Sequence, residues 1–115
     1  MARGLTWGDV RLVELGRPDK TRPVLVLSRA RAVDVLSAVM VAPITSQIRG
    51  NRSEVALGTA EGLKGPSVAK LDAIQTVEKS RLGRFLGSVA AVRAPEIRRA
   101  VLFAMQLDAE DELDS

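Results

Sequence analysis

The run Pro23-Val24-Leu25-Val26-Leu27-Ser28 constrains the fold more than any other part of the chain. Four consecutive apolar residues leave no alternate polar position, so a strand built from them has no face to give to water and must lie inside a sheet covered on both sides. The β-branched valines suit extended backbone, the run is short for a helix, and proline is tolerated at the first position of a strand. A chain of 115 residues is one ordinary domain, large enough to bury such a strand without staples. The neighbours of this strand must therefore come from the rest of the same domain.

Several segments qualify. Residues 7–15 alternate, with Val10, Leu12 and Glu14 on one face and Asp9, Arg11 and Val13 on the other, which predicts a half-buried strand closed by a turn over residues 16–20. Residues 29–34 are polar and suit a helical turn, and residues 35–44 return to strand character. Residues 45–52 are a loop by composition, residues 54–57 a brief strand, and residues 58–66 a turn-rich segment. Residues 67–74 read as another strand, residues 76–82 as a mixed stretch with room for a helical turn, and residues 84–89 as a last strand. A helix starts at Pro95, a favoured first position, with Glu96 in its first turn. Its core-facing stripe is Ile97, Ala100, Val101, Ala104 and Met105. Short strands with turns between them and a single terminal helix indicate a mainly β fold, a small, mostly antiparallel barrel with helical additions. No internal repeat or linker divides the chain. No apolar run is long enough to span a bilayer and no secretion signal is evident, so the cytoplasm is the expected compartment.

Charge is unevenly spread. The net +3 conceals five acids in the last eight residues, so residues 1–107 set seventeen bases against nine acids, a net +8. Thirteen of the bases are arginine, whose planar fork grips phosphate with two parallel hydrogen bonds. A basic body with an acidic tail at residues 108–115, expected to be disordered, suits a polyanion partner as well as a merely solvated surface. The chain has no histidine and no cysteine. Imidazole bases, thiolate nucleophiles, disulfides and thiolate-held zinc are thereby excluded. Hydroxyls, carboxylates, Lys and Arg remain, and they suit phosphate chemistry. Residues 58–65 lack the spacing and the Lys-Ser/Thr of a phosphate-binding loop.

Three clusters could carry that chemistry. Thr21-Arg22-Pro23 puts a guanidinium at the stiff start of the buried strand. Pro43-Ile44-Thr45-Ser46-Gln47 sets three hydrogen-bonding side chains just past another. Lys70-Leu71-Asp72 sets an ammonium and a carboxylate two apart, on one face if the backbone is extended. Taken singly, each is equally a strand-edge charge, a polar loop or a salt bridge.

Taken in order, they match a known pattern. Gly8-Asp9-Val10-Arg11-Leu12-Val13-Glu14-Leu15, then Thr21-Arg22-Pro23-Val24-Leu25-Val26-Leu27-Ser28, Ala42-Pro43-Ile44-Thr45-Ser46, and Gln75-Thr76-Val77-Glu78-Lys79 within residues 67–81 resemble the MazF/PemK (Kid) family of toxin endoribonucleases from bacterial toxin–antitoxin pairs. The resemblance runs from residue 7 to residue 107 and makes residues 1–107 the toxin domain. It implies an SH3-like (CcdB/PemK-like) antiparallel barrel that forms a homodimer. It also implies a metal-independent enzyme without cofactors that cuts single-stranded RNA at short sequences, leaving 2′,3′-cyclic phosphate and 5′-hydroxyl ends. By similarity, Arg22 and Thr45 are catalytic and Asp72 is the proton acceptor. Ser46, Gln47, Arg49, Lys70 and Gln75 fall among the expected RNA contacts. A cognate antitoxin, with an acidic and apolar segment over the basic groove, is the implied protein partner. The chain departs from the family pattern at Arg11, where an aromatic is usual, at Gln75, where arginine is frequent, and in the shorter turn over residues 16–20. Two other readings stay open. A gyrase-poisoning relative of CcdB would share the barrel, but that family relies on aromatic and apolar residues at its extreme C-terminus, and this chain ends Asp111-Glu112-Leu113-Asp114-Ser115. A non-catalytic RNA-binding barrel would want stacking platforms, for which only Trp7, Phe85 and Phe103 are at hand.

Overall fold

The structure, a computed structural model, describes residues 5–14, 20–29, 35 and 37–108. Within them, β1 (Asp9–Glu14), β2 (Thr21–Val26), β3 (Ala38–Thr45), β4 (Glu54–Leu57), β5 (Ser67–Lys70), β6 (Gln75–Glu78) and β7 (Leu82–Ser88) precede a C-terminal helix, α1 (Ala94–Ala104). The strands form one curled sheet in the order β4-β5-β3-β2-β1-β7, with β6 pairing to β3 off that path. Every pairing is antiparallel. The expected mainly β architecture with one terminal helix is what the chain adopts.

The apolar run is the middle of the sheet. β2 lies between β1 and β3, and Val24, Leu25 and Val26 are almost wholly excluded from solvent. Their alternation feeds two cores on opposite faces. Leu25 packs with Val10, Ala42, Ile44, Val55 and Leu71, whereas Val24 and Val26 pack with Val13, Val39 and Val41. Ser28, buried just past the strand, accepts the Met40 N–H on its Oγ at 2.8 Å, which extends the β2–β3 connection beyond the ladder.

β1 departs from the half-buried expectation. Both of its faces are covered, because curling puts the second valine cluster over the face that carries Asp9, Arg11 and Val13. Arg11 is therefore an interior residue. Its Nε donates to Asp9 Oδ2 at 3.4 Å, its Nη1 to the Gly83 carbonyl at 3.2 Å, and its guanidinium lies 5.7 Å from the centre of the Phe85 ring. Arg11 is thus satisfied on three sides, as a buried cation must be.

Other boundaries shift for local reasons. β5 stops at Lys70 rather than running to residue 74, since the chain turns just past it: the Leu71 N–H adds one last bond to the Ser53 carbonyl at 2.9 Å, and the Ala73 N–H then closes on the Lys70 carbonyl at 3.1 Å. The mixed stretch after it is strand β6 followed by a single 3-10 turn over Lys79–Arg81. β3 begins at Ala38, three residues later than the sequence pattern suggests, with Val35 helical before it. The expected turn at 16–20 and helical turn at 29–34 fall mostly outside the described residues, as does the acidic tail beyond Asp108. In α1, Ile97 and Ala100 are buried and Val101 packs on the core, but Met105 lies past the helix end and is 60% exposed. No helix among the described residues is long and apolar enough to cross a membrane.

Candidate active site

β2 and β3 pair with Val24 opposite Pro43, Leu25 opposite Ala42 and Val26 opposite Val41. This ladder ends at the Val24–Pro43 pair, and beyond it Arg22 and Thr45 lie at the same end of the sheet, where both strands emerge from the core. Arg22 is held by pairing to Val13 of β1 and Thr45 by pairing to Val68 of β5. Thr45 Oγ1 accepts the Gln47 N–H at 3.1 Å. That bond fixes the hydroxyl by an acceptor lone pair and leaves its proton for a ligand.

Arg22, Thr45 and Ser46 line one groove of about 580 Å³. Thr21 and Ser67 add hydroxyls to it, Leu12, Ile44 and Leu86 line its apolar part, and Lys64 and Arg84 add cations. No carboxylate is among the described residues that line it. The side chains of Arg22, Lys64 and Arg84 have neither an ion pair nor a hydrogen bond to any described residue. A concave surface with three uncompensated cations and four hydroxyls is built for an anion.

One wall of the groove is held by main chain. Residues 58–66 turn through a 3-10 segment at Thr59–Glu61 into Gly62, whose φ of +88° favours glycine. A Cβ on Gly62 would run into the Leu86 carbonyl, and one on Gly87 into the Glu61 carbonyl. The loop thus rides directly on β7. Buried Glu61 fixes it from beneath, accepting the Gly58 N–H on Oε1 at 2.6 Å and Arg93 Nη1 on Oε2 at 3.3 Å. Arg93 also donates to the Ala56 carbonyl at 2.6 Å and grips both carboxylate oxygens of Glu96 at 2.8 Å. These hydrogen bonds hold the Glu96 carboxyl below the usual carboxylate range and push the Arg93 guanidinium higher still.

The remaining sequence candidates do not join this groove within one chain. Because β5 ends at Lys70, Lys70 and Asp72 do not share a strand face; Lys70 pairs with Glu54 of β4, and Asp72 lies in the turn beyond. Four residues, at most about 13 Å of extended chain, separate Asp72 from Val68, the partner of Thr45. Asp72 instead lines a second groove, about 860 Å³ and mainly apolar, with Trp7, Leu27, Met40, Ile74 and Met105. Gln75 pairs with Val41 and lines a small cleft with Val13, Val24 and Arg81. Gln47 and Arg49 are exposed in the loop after β3, where the Arg49 and Gly50 N–H groups donate to the Glu54 carboxylate and draw the loop back toward β4. Lys64 and Arg84 went unnoticed in the sequence, since nothing in their own neighbourhoods links a turn lysine to a strand arginine twenty residues on. Among the described residues no group of carboxylates could hold a metal ion.

Residues 6–105 match the family model described as PemK-like, MazF-like toxin of type II toxin-antitoxin system. Among curated proteins, Endoribonuclease MazF3 of Mycobacterium tuberculosis is 38% identical over 99 residues, which is 86% of this chain and 96% of the relative. Among solved structures, Mycobacterium tuberculosis toxin MazF-mt6 superposes with a TM-score of 0.80 at 38% identity, covering 87% of this chain and 98% of the other. An endoribonuclease in complex with its cognate antitoxin, from a mycobacterial species, superposes with a TM-score of 0.78 at 27% identity, covering 91% and 98%.

Proposed function

Since the chain belongs to the PemK-like, MazF-like toxins of type II toxin–antitoxin systems, we propose that the cationic, hydroxyl-lined groove is where it cuts single-stranded RNA. The observation that carries this reading is that Arg22, Thr45 and Ser46 line one groove with Lys64 and Arg84, and that no carboxylate is among the described residues lining it. RNA carries its own nucleophile. The 2′-oxygen attacks the adjacent phosphorus and the bond to the 5′-oxygen breaks, so the products are a 2′,3′-cyclic phosphate and a 5′-hydroxyl. The protein has to stabilise the extra negative charge on five-coordinate phosphorus, accept the 2′ proton and let the 5′-oxygen gain one.

Arg22 and Thr45 serve the first need. A guanidinium fork and an oriented hydroxyl donor, aimed where charge develops, stabilise the transition state without reorganising during the reaction. A guanidinium does not give up its proton in proteins, so the role of Arg22 is electrostatic stabilisation; water protonates the leaving oxygen. Ser46 extends the donor set. Gln47, Arg49, Lys70 and Gln75 meet RNA as it leaves the groove along the exposed loop and strand ends.

Asp72 is the proposed proton acceptor, a role a carboxylate can fill once it reaches the 2′-hydroxyl. Its place on the apolar groove sets a condition: it reaches RNA held at Arg22 from a second copy of the chain seated there. Exposed Met40, Ile74 and Met105 make that groove a large apolar patch of the kind that monomers seldom leave uncovered. A homodimer covering it is part of the proposal, as is a cognate antitoxin whose acidic segment neutralises the cationic groove.

The test is digestion of a long single-stranded RNA in EDTA, with the cut ends mapped. Cleavage leaving cyclic phosphates, abolished by Arg22→Ala, is the expected result. RNA binding without cleavage by the wild-type protein, or the same cleavage by the variant, would overturn the site.

A further inference from the structure

We infer that Lys64 and Arg84 form a second phosphate clamp, which holds a neighbouring phosphate of the RNA while Arg22 and Thr45 hold the scissile one; the inference rests on the RNA-cleavage reading of the groove. The two residues come from segments twenty positions apart, and main-chain contact brings them together. Gly62 backs onto the Leu86 carbonyl and Gly87 onto the Glu61 carbonyl. Lys64 is thereby two residues from one side of the contact, and Arg84 two residues from the other. Both line the groove that holds Arg22, both are exposed, and neither side chain has an ion pair or hydrogen bond to a described residue.

The sheet sets the spacing. β1 lies between β2 and β7, with Val13 opposite both Arg22 and Leu82. Two strand spacings of about 4.8 Å put the Arg22 and β7 backbones roughly 10 Å apart. That is too far for one phosphate to bridge main chain to main chain, and within reach of two long side chains holding separate phosphates of one strand. It is also about one Debye length, so salt weakens the mutual repulsion of these three cations without abolishing it, and a bound anion relieves what is left. The Glu61–Arg93 contact keeps the Lys64 loop in place without placing a carboxylate in the groove. Lys64 contributes a point charge. Arg84 contributes a fork that recognises phosphate orientation.

A contact of this kind removes counterions from RNA, so it shows in the salt dependence of binding. Binding is measured from 50 to 300 mM salt on a short single-stranded RNA with a 2′-deoxy residue at the position mapped with wild-type enzyme. Each of Lys64→Ala and Arg84→Ala lowers the slope of log K against log salt, and the double variant, which frees the neighbouring phosphate altogether, lowers it by about 0.7. On cleavable RNA, KM rises several-fold while kcat stays within about twofold, the signature of lost uniform binding. Arg84→Lys keeps the slope and loses part of the affinity. Wild-type slopes in both alanine variants, with folding confirmed by circular dichroism, would overturn the clamp. Absence of cleavage by the wild-type protein in EDTA would instead overturn the reading beneath it.

Discussion

Arg93 is the residue through which the groove wall depends on the rest of the fold, and Arg93→Met tests that dependence. The methionine keeps most of the aliphatic stem and removes four hydrogen bonds that join three elements: the 3-10 turn through Glu61, β4 through the Ala56 carbonyl, and α1 through Glu96. The Glu61 side chain is 8% exposed and Arg93 23%. Deleting one partner of a fully buried pair costs about 3–5 kcal/mol. Here water reaches the vacated side and Glu61 keeps its bond from Gly58, so the loss at Glu61 and Ala56 is about 2–3 kcal/mol. Exposed Glu96 adds less than about 1 kcal/mol. A total near 3 kcal/mol lowers Tm by about 10 °C in a domain of this size. Urea unfolding followed by circular dichroism measures it directly. In a double-mutant cycle with Glu61→Gln, the cost of Arg93→Met falls by at least about 1 kcal/mol, because the carboxylate it would strand is already gone. A loss under about 1 kcal/mol, or additive costs in the cycle, would show that the contact is a solvated surface pair and that the wall is held by other means.

Two further outcomes follow from the geometry. If Asp72 serves the site of a second copy, mixing inactive Arg22→Ala with inactive Asp72→Asn protein restores cleavage, because a mixed dimer holds one intact pair; no recovery after subunit exchange would place both residues in one chain's site. Glu96 is held below the usual carboxylate range by Arg93, so its contribution is present above that range and is lost as pH falls through the lowered folded value. The stability gap between wild type and Glu96→Gln in urea is therefore open at pH 6 and closes toward pH 3, and a gap that persists at pH 3 would refute the assignment.

What could be read from the residues alone was what depends on short-range pattern. The buried run at Val24, Leu25 and Val26, the C-terminal helix, the Arg22 and Thr45 placements and the family resemblance all rest on short local runs of sequence. Curling of the sheet does not. It turns the Asp9, Arg11 and Val13 face from a surface into an interior, and no periodicity in β1 distinguishes the two cases. The Lys70–Asp72 pairing failed because the Ala73 N–H closes a turn on the Lys70 carbonyl, and the alternation of side chains stops where the strand does. Lys64 and Arg84 meet only because Gly62 lets two backbones touch, a tertiary fact that leaves no trace in the spacing of either cation.

That backbone contact also decides which parts of the groove can vary. A wall whose position is set by glycines against carbonyls does not move when the side chains standing on it are exchanged. Lys64 on the loop and Arg84 on the strand beneath, both exposed, can therefore be replaced without disturbing Arg22 and Thr45 on the opposite side. If the groove cuts RNA as proposed, recognition of the nucleotides flanking the cut is mechanically separate from chemistry at the cut, and RNA preference is open to redesign on one wall while the reacting geometry of the other stays fixed.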